Sequence, residues 1–201
     1  MAVNEYLSSE EQAILESASV GIAGAGGLGS NCAAHLVRAG IRHLVIADFD
    51  TVAESNLNRQ FFFRDQLGRK KVDALRENLL RIEPGLTLEM HDVKLNSDNI
   101  RPIFAACGIV GEAFDDATAK TMLLETLLPA CKMVVSVSGI AGWGKSNAIS
   151  VRRIGKNLLL IGDMCSGVDP HTGLYPASPR VGIAAAMQAN SIVACLLNRE
   201  I

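Results

Sequence analysis

The sequence predicts a mostly parallel α/β sheet wound with helices on both faces, and three observations predict it. Short apolar runs alternate with segments of helical periodicity from residue 19 to residue 137. One strand-to-helix junction is occupied by Gly24-Ala25-Gly26-Gly27-Leu28-Gly29. After residue 138 the alternation gives way to two β-rich runs and one long apolar helical segment. Parallel neighbours need crossover connections, which are normally helical and right-handed, so this alternation implies a doubly wound sheet. The two late runs imply antiparallel strands added near the C-terminus.

Residues 19–24 are apolar and end in glycine, the pattern of a buried strand. Residues 27–39 carry Leu28, Cys32, Leu36 and Val37 at helical spacing, and Gly40 stands where a helix stops. A second strand is expected at 43–47. An amphipathic helix is expected at 65–82, with Leu67, Val72, Leu75, Leu79 and Ile82 inward and Pro84-Gly85 beyond its end. Strand 86–90 and a short helix at 97–106 follow, with Pro102 in an early turn. Next come a strand at 108–113, a helix at 117–128 and a strand at 133–137. The runs 148–154 and 158–161 flank Gly155-Lys156-Asn157, a hairpin turn. Residues 167–179 are rich in Gly and Pro and read as a loop. Residues 181–197 form an apolar helix that packs across the sheet.

A chain of 201 residues with 49% hydrophobic content is expected to form a single domain, 1–201, with a sizeable core. Its net charge of -2 and pI of about 6.1 argue against nucleic acid or an anionic membrane as partner. The acidic opening, Met1-Ala2-Val3-Asn4-Glu5, leads into no apolar segment, so no signal peptide is expected. No apolar window reaches the roughly 20 residues of a membrane span. The expectation is a cytoplasmic protein. Five cysteines and four histidines are dispersed without a Cys-x-x-Cys pair, so a paired-cysteine zinc site is not expected.

The glycine turn follows a strand and opens a helix, the context of a nucleotide-binding fingerprint. Gly24 allows the sharp turn, Gly26 lets backbone approach phosphate, and Gly29 lets helix and strand pack closely, with Gly27 between them. Asp48, about twenty residues on at the end of the second strand, can accept both ribose hydroxyls. These residues bind a nucleotide without saying which. Residues 48–64 narrow the choice by crowding carboxylates, Asn, Arg and Gln into one loop, a composition suited to a triphosphate.

A second glycine-rich stretch, Gly139-Ile140-Ala141-Gly142-Trp143-Gly144-Lys145-Ser146, matches the phosphate-loop pattern letter for letter. That chemistry also demands a helix starting at Lys145, whose amides face the phosphates. The residues that follow, Asn147-Ala148-Ile149-Ser150-Val151-Arg152-Arg153, alternate with period two instead. A loop between sheet strands is therefore expected, with Trp143 either a packed anchor or a lid over a ligand or partner tail.

The run Ser55-Asn56-Leu57-Asn58-Arg59-Gln60-Phe61-Phe62-Phe63-Arg64, with Gly68-Arg69-Lys70-Lys71, resembles the ubiquitin-activating-enzyme superfamily and its bacterial ThiF and MoeB branches. The resemblance extends over residues 20–201 and takes in the glycine turn, Asp48-Phe49-Asp50, the Glu112-Ala113-Phe114-Asp115-Asp116 stretch and the Met187-Gln188-Ala189 helix. The compact ThiF branch is most similar. The resemblance implies a Rossmann-like fold and adenylation of the C-terminal Gly carboxylate of a ubiquitin-fold sulfur carrier, ThiS-like and in thiamine thiazole biosynthesis. ATP and Mg²⁺ are the implied cofactors and a homodimer the implied assembly. By the same resemblance Asp48 holds the ribose, while Asn56, Arg59 and Lys71 contact phosphates. Asp115 binds Mg²⁺, so Arg59, Lys71 and Asp115 are the expected catalytic residues. Asp50 serves the metal or shapes its loop, and Gln60 is a secondary contact. Cys165, the one cysteine in a polar loop, is either a sulfur-transfer partner or a bystander. Carriers of molybdopterin, cysteine or tRNA sulfur chemistry stay open. So does an NAD-dependent oxidoreductase, although no catalytic His or Tyr-Lys pair accompanies the glycine turn.

Overall fold

The computed structural model describes residues 6–169, 171 and 173–201. The first five residues of the acidic opening, and Pro170 and Thr172 of the expected loop, lie outside the described residues. Helix α1 (Ser9–Ser17) precedes β1 (Ser19–Ala23), α2 (Gly27–Ala39) and β2 (His43–Ala47). Then come α3 (Lys71–Ile82), β3 (Thr87–His91), α4 (Ile100–Ile103), β4 (Ile109–Glu112) and α5 (Ala117–Leu127). The last elements are β5 (Met133–Val137), β6 (Ser150–Ile154), β7 (Leu158–Gly162) and α6 (Ser178–Leu196).

Among the described residues the strands form one seven-stranded sheet in the order β3-β2-β1-β4-β5-β7-β6. All neighbouring pairs are parallel except β6 with β7. The late strands are thus a hairpin in which β7 extends the parallel sheet and β6 alone runs against it. The chain order reverses between β1 and β4, which places a crevice beyond the carboxyl ends of those two strands.

The period of two along each strand sends alternate residues into two separate cores. On one face Val20, Ile22, Leu44, Ile46, Val135 and Ile161 pack with Leu36, Leu75 and Ile192 of α2, α3 and α6. On the other, Val45, Val110 and Val134 pack with Ile100, Phe104 and Leu123 beneath α4 and α5. Each such fully buried Leu or Ile contributes roughly 1.5–3 kcal/mol. Gly21 in β1 makes room for Phe104, whose ring would lie 2.6 Å from an added Cβ.

The structure departs from the sequence reading at four element ends. The helix expected from residue 65 begins only at Lys71. Val52 donates to the Arg69 carbonyl at 2.8 Å and accepts from Gly68 N–H at 2.9 Å, which pulls residues 68–70 into extended pairing with residues 51–52. Leu67 consequently lies exposed rather than inward. The helix expected at 97–106 shrinks to Ile100–Ile103, because the Asn96 and Asn99 side chains capture the backbone N–H groups of residues 96, 98 and 99. Helix α6 starts three residues early, at Ser178, with Pro179 in its first turn. Helix α1 was not expected at all; Ser8 and Glu11 form a reciprocal capping box at its start.

Candidate active site

The glycine turn sits at the switch point. Gly24 has φ +102°, and a Cβ there would lie 2.9 Å from the Ala113 carbonyl at the end of β4. A Cβ on Gly29 would fall 1.8 Å from the Gly24 carbonyl, so α2 rests directly on the turn. Gly26 is different: an added Cβ would meet only the Gln60 amide, at 3.8 Å, which leaves the space beside it open to a ligand. Gly26 caps α2 without a side-chain hydrogen bond, so the first amides of the helix are left to face an anion. Asp48 ties β2 to this turn, accepting the Ala25 N–H at 2.6 Å with one oxygen and the Asp50 N–H at 2.8 Å with the other.

The loop of residues 55–64 is fastened onto the same turn. The Asn31 amide donates to the Gly27 carbonyl at 2.7 Å and to the Arg59 carbonyl at 2.9 Å. Ser30 Oγ accepts the Phe61 N–H at 2.9 Å, and Asn78 donates to the Phe61 carbonyl at 2.8 Å. Arg59 therefore lies against Gly27, its Cγ 3.4 Å from where a Cβ would stand. Its guanidinium is parked on the Ser55 carbonyl and on Asn58. Asn56 accepts the Ala53 N–H through its side-chain carbonyl, so only its NH₂ is available to a phosphate. The Gln60 side-chain amide oxygen is buried without a partner among the described residues, a donor-seeking atom near Gly26.

Lys71 is the first residue of α3, and its side chain is only 7% exposed. Its ammonium donates to Asp50 at 2.7 Å, the arrangement that makes a nearly buried charge tolerable. Lys71 is therefore not a solvated surface charge. Asp50 is half exposed and so borders solvent on the crevice side of the pair. On β4, Glu112 is fully buried, while Asp115 is exposed three residues later. Asp116 caps α5, accepting the Ala119 N–H at 2.7 Å.

The structure thus gathers Gly24, Gly26, Gly27, Gly29, Asp48, Arg59 and Gln60 around one turn. Asp50 and Lys71 join them through the loop after β2, and Asp115 stands at the end of the next strand. Nucleotide fits this set: free helix amides, an open space at Gly26, an orphaned Gln60 oxygen and two cations. Mg²⁺ usually takes one or two carboxylates and completes its shell with water and phosphate oxygens. Asp115 suits that use, since its carboxylate is exposed and engaged by no other described residue.

The phosphate-loop lookalike is far simpler. Lys145 is exposed in left-handed conformation at φ 45°, and only a three-residue 3₁₀ turn, Ser146–Ala148, separates it from β6. No helix begins there. Trp143 is 77% exposed, which overturns its reading as a packed anchor. The carbonyls of Gly144 and Lys145 are instead bound by Arg180, a buried residue of α6. The same guanidinium pairs with Asp163 at 2.6 Å. Burial would push the Asp163 carboxyl up, but hydrogen bonds from the Ser166 hydroxyl and from the Ser166 and Cys165 N–H groups outweigh it and hold it well below the usual carboxylate range. Cys165 is exposed, its thiol 3.5 Å from Asp163. Sequence reasoning missed Arg180. The available signal was one arginine directly after Pro179, opening an otherwise apolar helix.

A shallow depression of about 530 Å³ lies at the opposite end of the sheet, lined by Ile109, Met133, Arg153 and Cys195 among others. It contains none of the site residues. No helix of the described residues is long and apolar enough to cross a membrane.

A model of the ThiF family matches residues 1–201. The chain is 30% identical over 194 residues to the "adenylyltransferase and sulfurtransferase UBA4" of Eremothecium gossypii, covering 96% of this chain and 41% of that one. It is 31% identical over 144 residues to the "molybdopterin-synthase adenylyltransferase" of Salmonella typhimurium, covering 71% and 58%. The chain thus spans about two fifths to three fifths of the length of these curated relatives. The fold superposes on E. coli TcdA, a tRNA N6-threonylcarbamoyladenosine dehydratase solved in complex with ATP, with a TM-score of 0.82 at 21% identity, covering 96% and 92%.

Proposed function

The chain belongs to the ThiF family, and on that premise we propose that it is an ATP-dependent adenylyltransferase for a ubiquitin-fold sulfur carrier. The supporting observation is the fastening of the Arg59 loop onto the glycine turn by Asn31, which presents a guanidinium where a dinucleotide enzyme needs none. The curated relatives named above are described as adenylyltransferases, in keeping with this reading.

A carboxylate approaching a triphosphate meets strong like-charge repulsion, so such a site must place positive charge before the reaction begins. In the proposed step a carboxylate oxygen of the carrier's C-terminal glycine bonds to the α-phosphorus. The bond between that phosphorus and the bridging oxygen breaks, and pyrophosphate leaves. Arg59 can grip two phosphate oxygens at once, and Lys71 acts as a compact charge that exchanges Asp50 for phosphate. The α2 amides and the Asn56 NH₂ complete the phosphate contacts, Gln60 meets the ligand beside Gly26, and Asp48 takes the ribose hydroxyls. Asp115 would hold Mg²⁺, which when bound would add positive charge beside the phosphates. The unit of function is the whole 201-residue domain, acting in the cytoplasm as a homodimer, a state that sedimentation velocity tests.

The test is carrier-dependent exchange of pyrophosphate into ATP, run with ThiS-like, molybdopterin-type and tRNA-sulfur carriers. Exchange with one of them is expected. A ThiS-like carrier of thiazole synthesis is the first to try. Silence with every carrier, together with tight NAD binding, overturns the reading in favour of an oxidoreductase.

A further inference from the structure

Asp115 makes no hydrogen bond that would hold its carboxylate in place, yet a metal-binding carboxylate has to be placed accurately. The segment around it explains how. The last ladder bond beyond β4 runs from Ala113 N–H to the Ala23 carbonyl at 2.9 Å. The next amide, Phe114 N–H, has no strand partner and donates to the Glu112 side chain at 2.7 Å. Asp116 then starts α5 by capping it. Asp115 therefore sits on a two-ended bridge, with Phe114 anchored by a carboxylate on one side and Asp116 on the other.

The anchor at Glu112 is itself heavily built. Ser136 Oγ donates to one carboxylate oxygen at 2.6 Å, and the Lys120 ammonium donates to both at 3.0 Å. Lys120 sends its remaining proton to the Val137 carbonyl at 2.9 Å. An ammonium has three donors, so Lys120 is saturated and has nothing left to offer a ligand. Gln188 of α6 fixes the strand from below, donating to the Glu112 carbonyl at 2.8 Å and the Val135 carbonyl at 2.7 Å. An ion pair whose carboxylate is fully buried and whose ammonium has every donor used is a poor source of net stability but a strong device for fixing geometry.

We propose that Glu112, Lys120 and Ser136 form a positioning network that sets where Asp115 stands relative to the glycine turn. Through it, the first turn of α5 is tied to the ends of β4 and β5, and the Phe114 amide is locked. Its three side chains are spent on one another and on the backbone, so the role assigned to them is positioning and not ligand contact. The proposal rests on the reading of Asp115 as the metal-binding residue given above, and its test separates the two.

Lys120→Met, Lys120→Arg and Ser136→Ala are compared with the wild type by two measurements. Amide hydrogen exchange followed by NMR reads the Phe114 N–H directly. Loss of the anchor is expected to speed it about tenfold or more in Lys120→Met, with β1 and β2 core amides changed less than about twofold. In the pyrophosphate-exchange assay, kcat is expected to fall roughly tenfold at a KM for ATP within about twofold of wild type, because geometry and not binding is lost. Lys120→Arg is expected to recover most of both. An unchanged Phe114 amide overturns the proposal, and so does a mobile Phe114 amide with undiminished kcat. If the wild type exchanges with no carrier, the functional reading fails while the Phe114 amide still decides the anchoring. If Lys120→Met does not fold, Ser136→Ala, which removes one bond from Glu112, carries the same two readouts.

Discussion

Two carboxylates with opposite surroundings carry most of the predictions at the scale of single residues. Asp115 is exposed and unengaged, so its removal touches chemistry and not folding. Asp115→Asn is expected to lower pyrophosphate exchange roughly a hundredfold while ATP binding stays within about threefold, as isothermal titration would show. Asp163 is the reverse case, with its side chain 9% exposed and that of its partner Arg180 3% exposed. Asp163→Asn leaves a buried guanidinium short of its counter-charge and should destabilise the protein by about 3–5 kcal/mol at neutral pH. In the folded protein this carboxyl is held below its unfolded value of about 3.9, so its contribution is complete above about pH 5. It declines as pH falls through the unfolded value toward the folded one. Denaturant melts of both proteins from pH 7 down to pH 3 should therefore converge; a difference that grows on acidification contradicts the assignment.

At the scale of elements, the glycine turn and its lookalike make opposite predictions. Gly29→Ala would put a methyl 1.8 Å from the Gly24 carbonyl, a backbone atom that cannot swing aside. Expression as insoluble material, or a melting temperature lowered by more than about 10 °C, is expected. Lys145→Ala removes an exposed side chain from a three-residue turn, and ATP affinity should stay within about twofold, by the same titration. The central strands and α2 were legible in the sequence because their apolar spacing and their punctuating glycines agree. The start of α3 was not. Leu67 continues the apolar period of that helix, and nothing local reveals that Val52 captures residues 68 and 69 across the chain. Helix α1 was legible in principle through Ser8 and Glu11, since a capping box is a sequence pattern. At the site, the glycines, Asp48, Arg59 and Lys71 could be named in advance. Asn31, Glu112 with Lys120, and Arg180 could not be assigned a task, because each also needs a partner 17 to 40 residues away.

For the whole molecule, the crevice is assembled from elements that pack on one another and on one sheet, so occupying it should stabilise all of them together. ATP at about a hundred times its dissociation constant is expected to add about 2.7 kcal/mol. That corresponds to a rise of roughly 5–10 °C in melting temperature for a chain of this size. NAD at the same concentration should leave the melting temperature unchanged, and an equal rise with both would contradict the assignment of the Arg59 loop to phosphate. The distribution of charge agrees with a confined site: the overall balance is -2, while the cations that matter are held individually by Asp50, Ser55 and Asn58.

The position of α6 adds a matter of timing. This helix follows all seven strands, yet Val181 closes on Gly27 at the mouth of the glycine turn and Gln188 holds the centre of the sheet. Strands β1, β2 and β4 leave the ribosome long before it. Until residues 178–196 emerge, the nascent chain carries an apolar face of β4, β5 and β7 without its cover and a nucleotide crevice without one wall. A newborn polypeptide of this kind cannot capture ATP to help itself fold. On the proposed function, ATP can stabilise the fold only after α6 has been added.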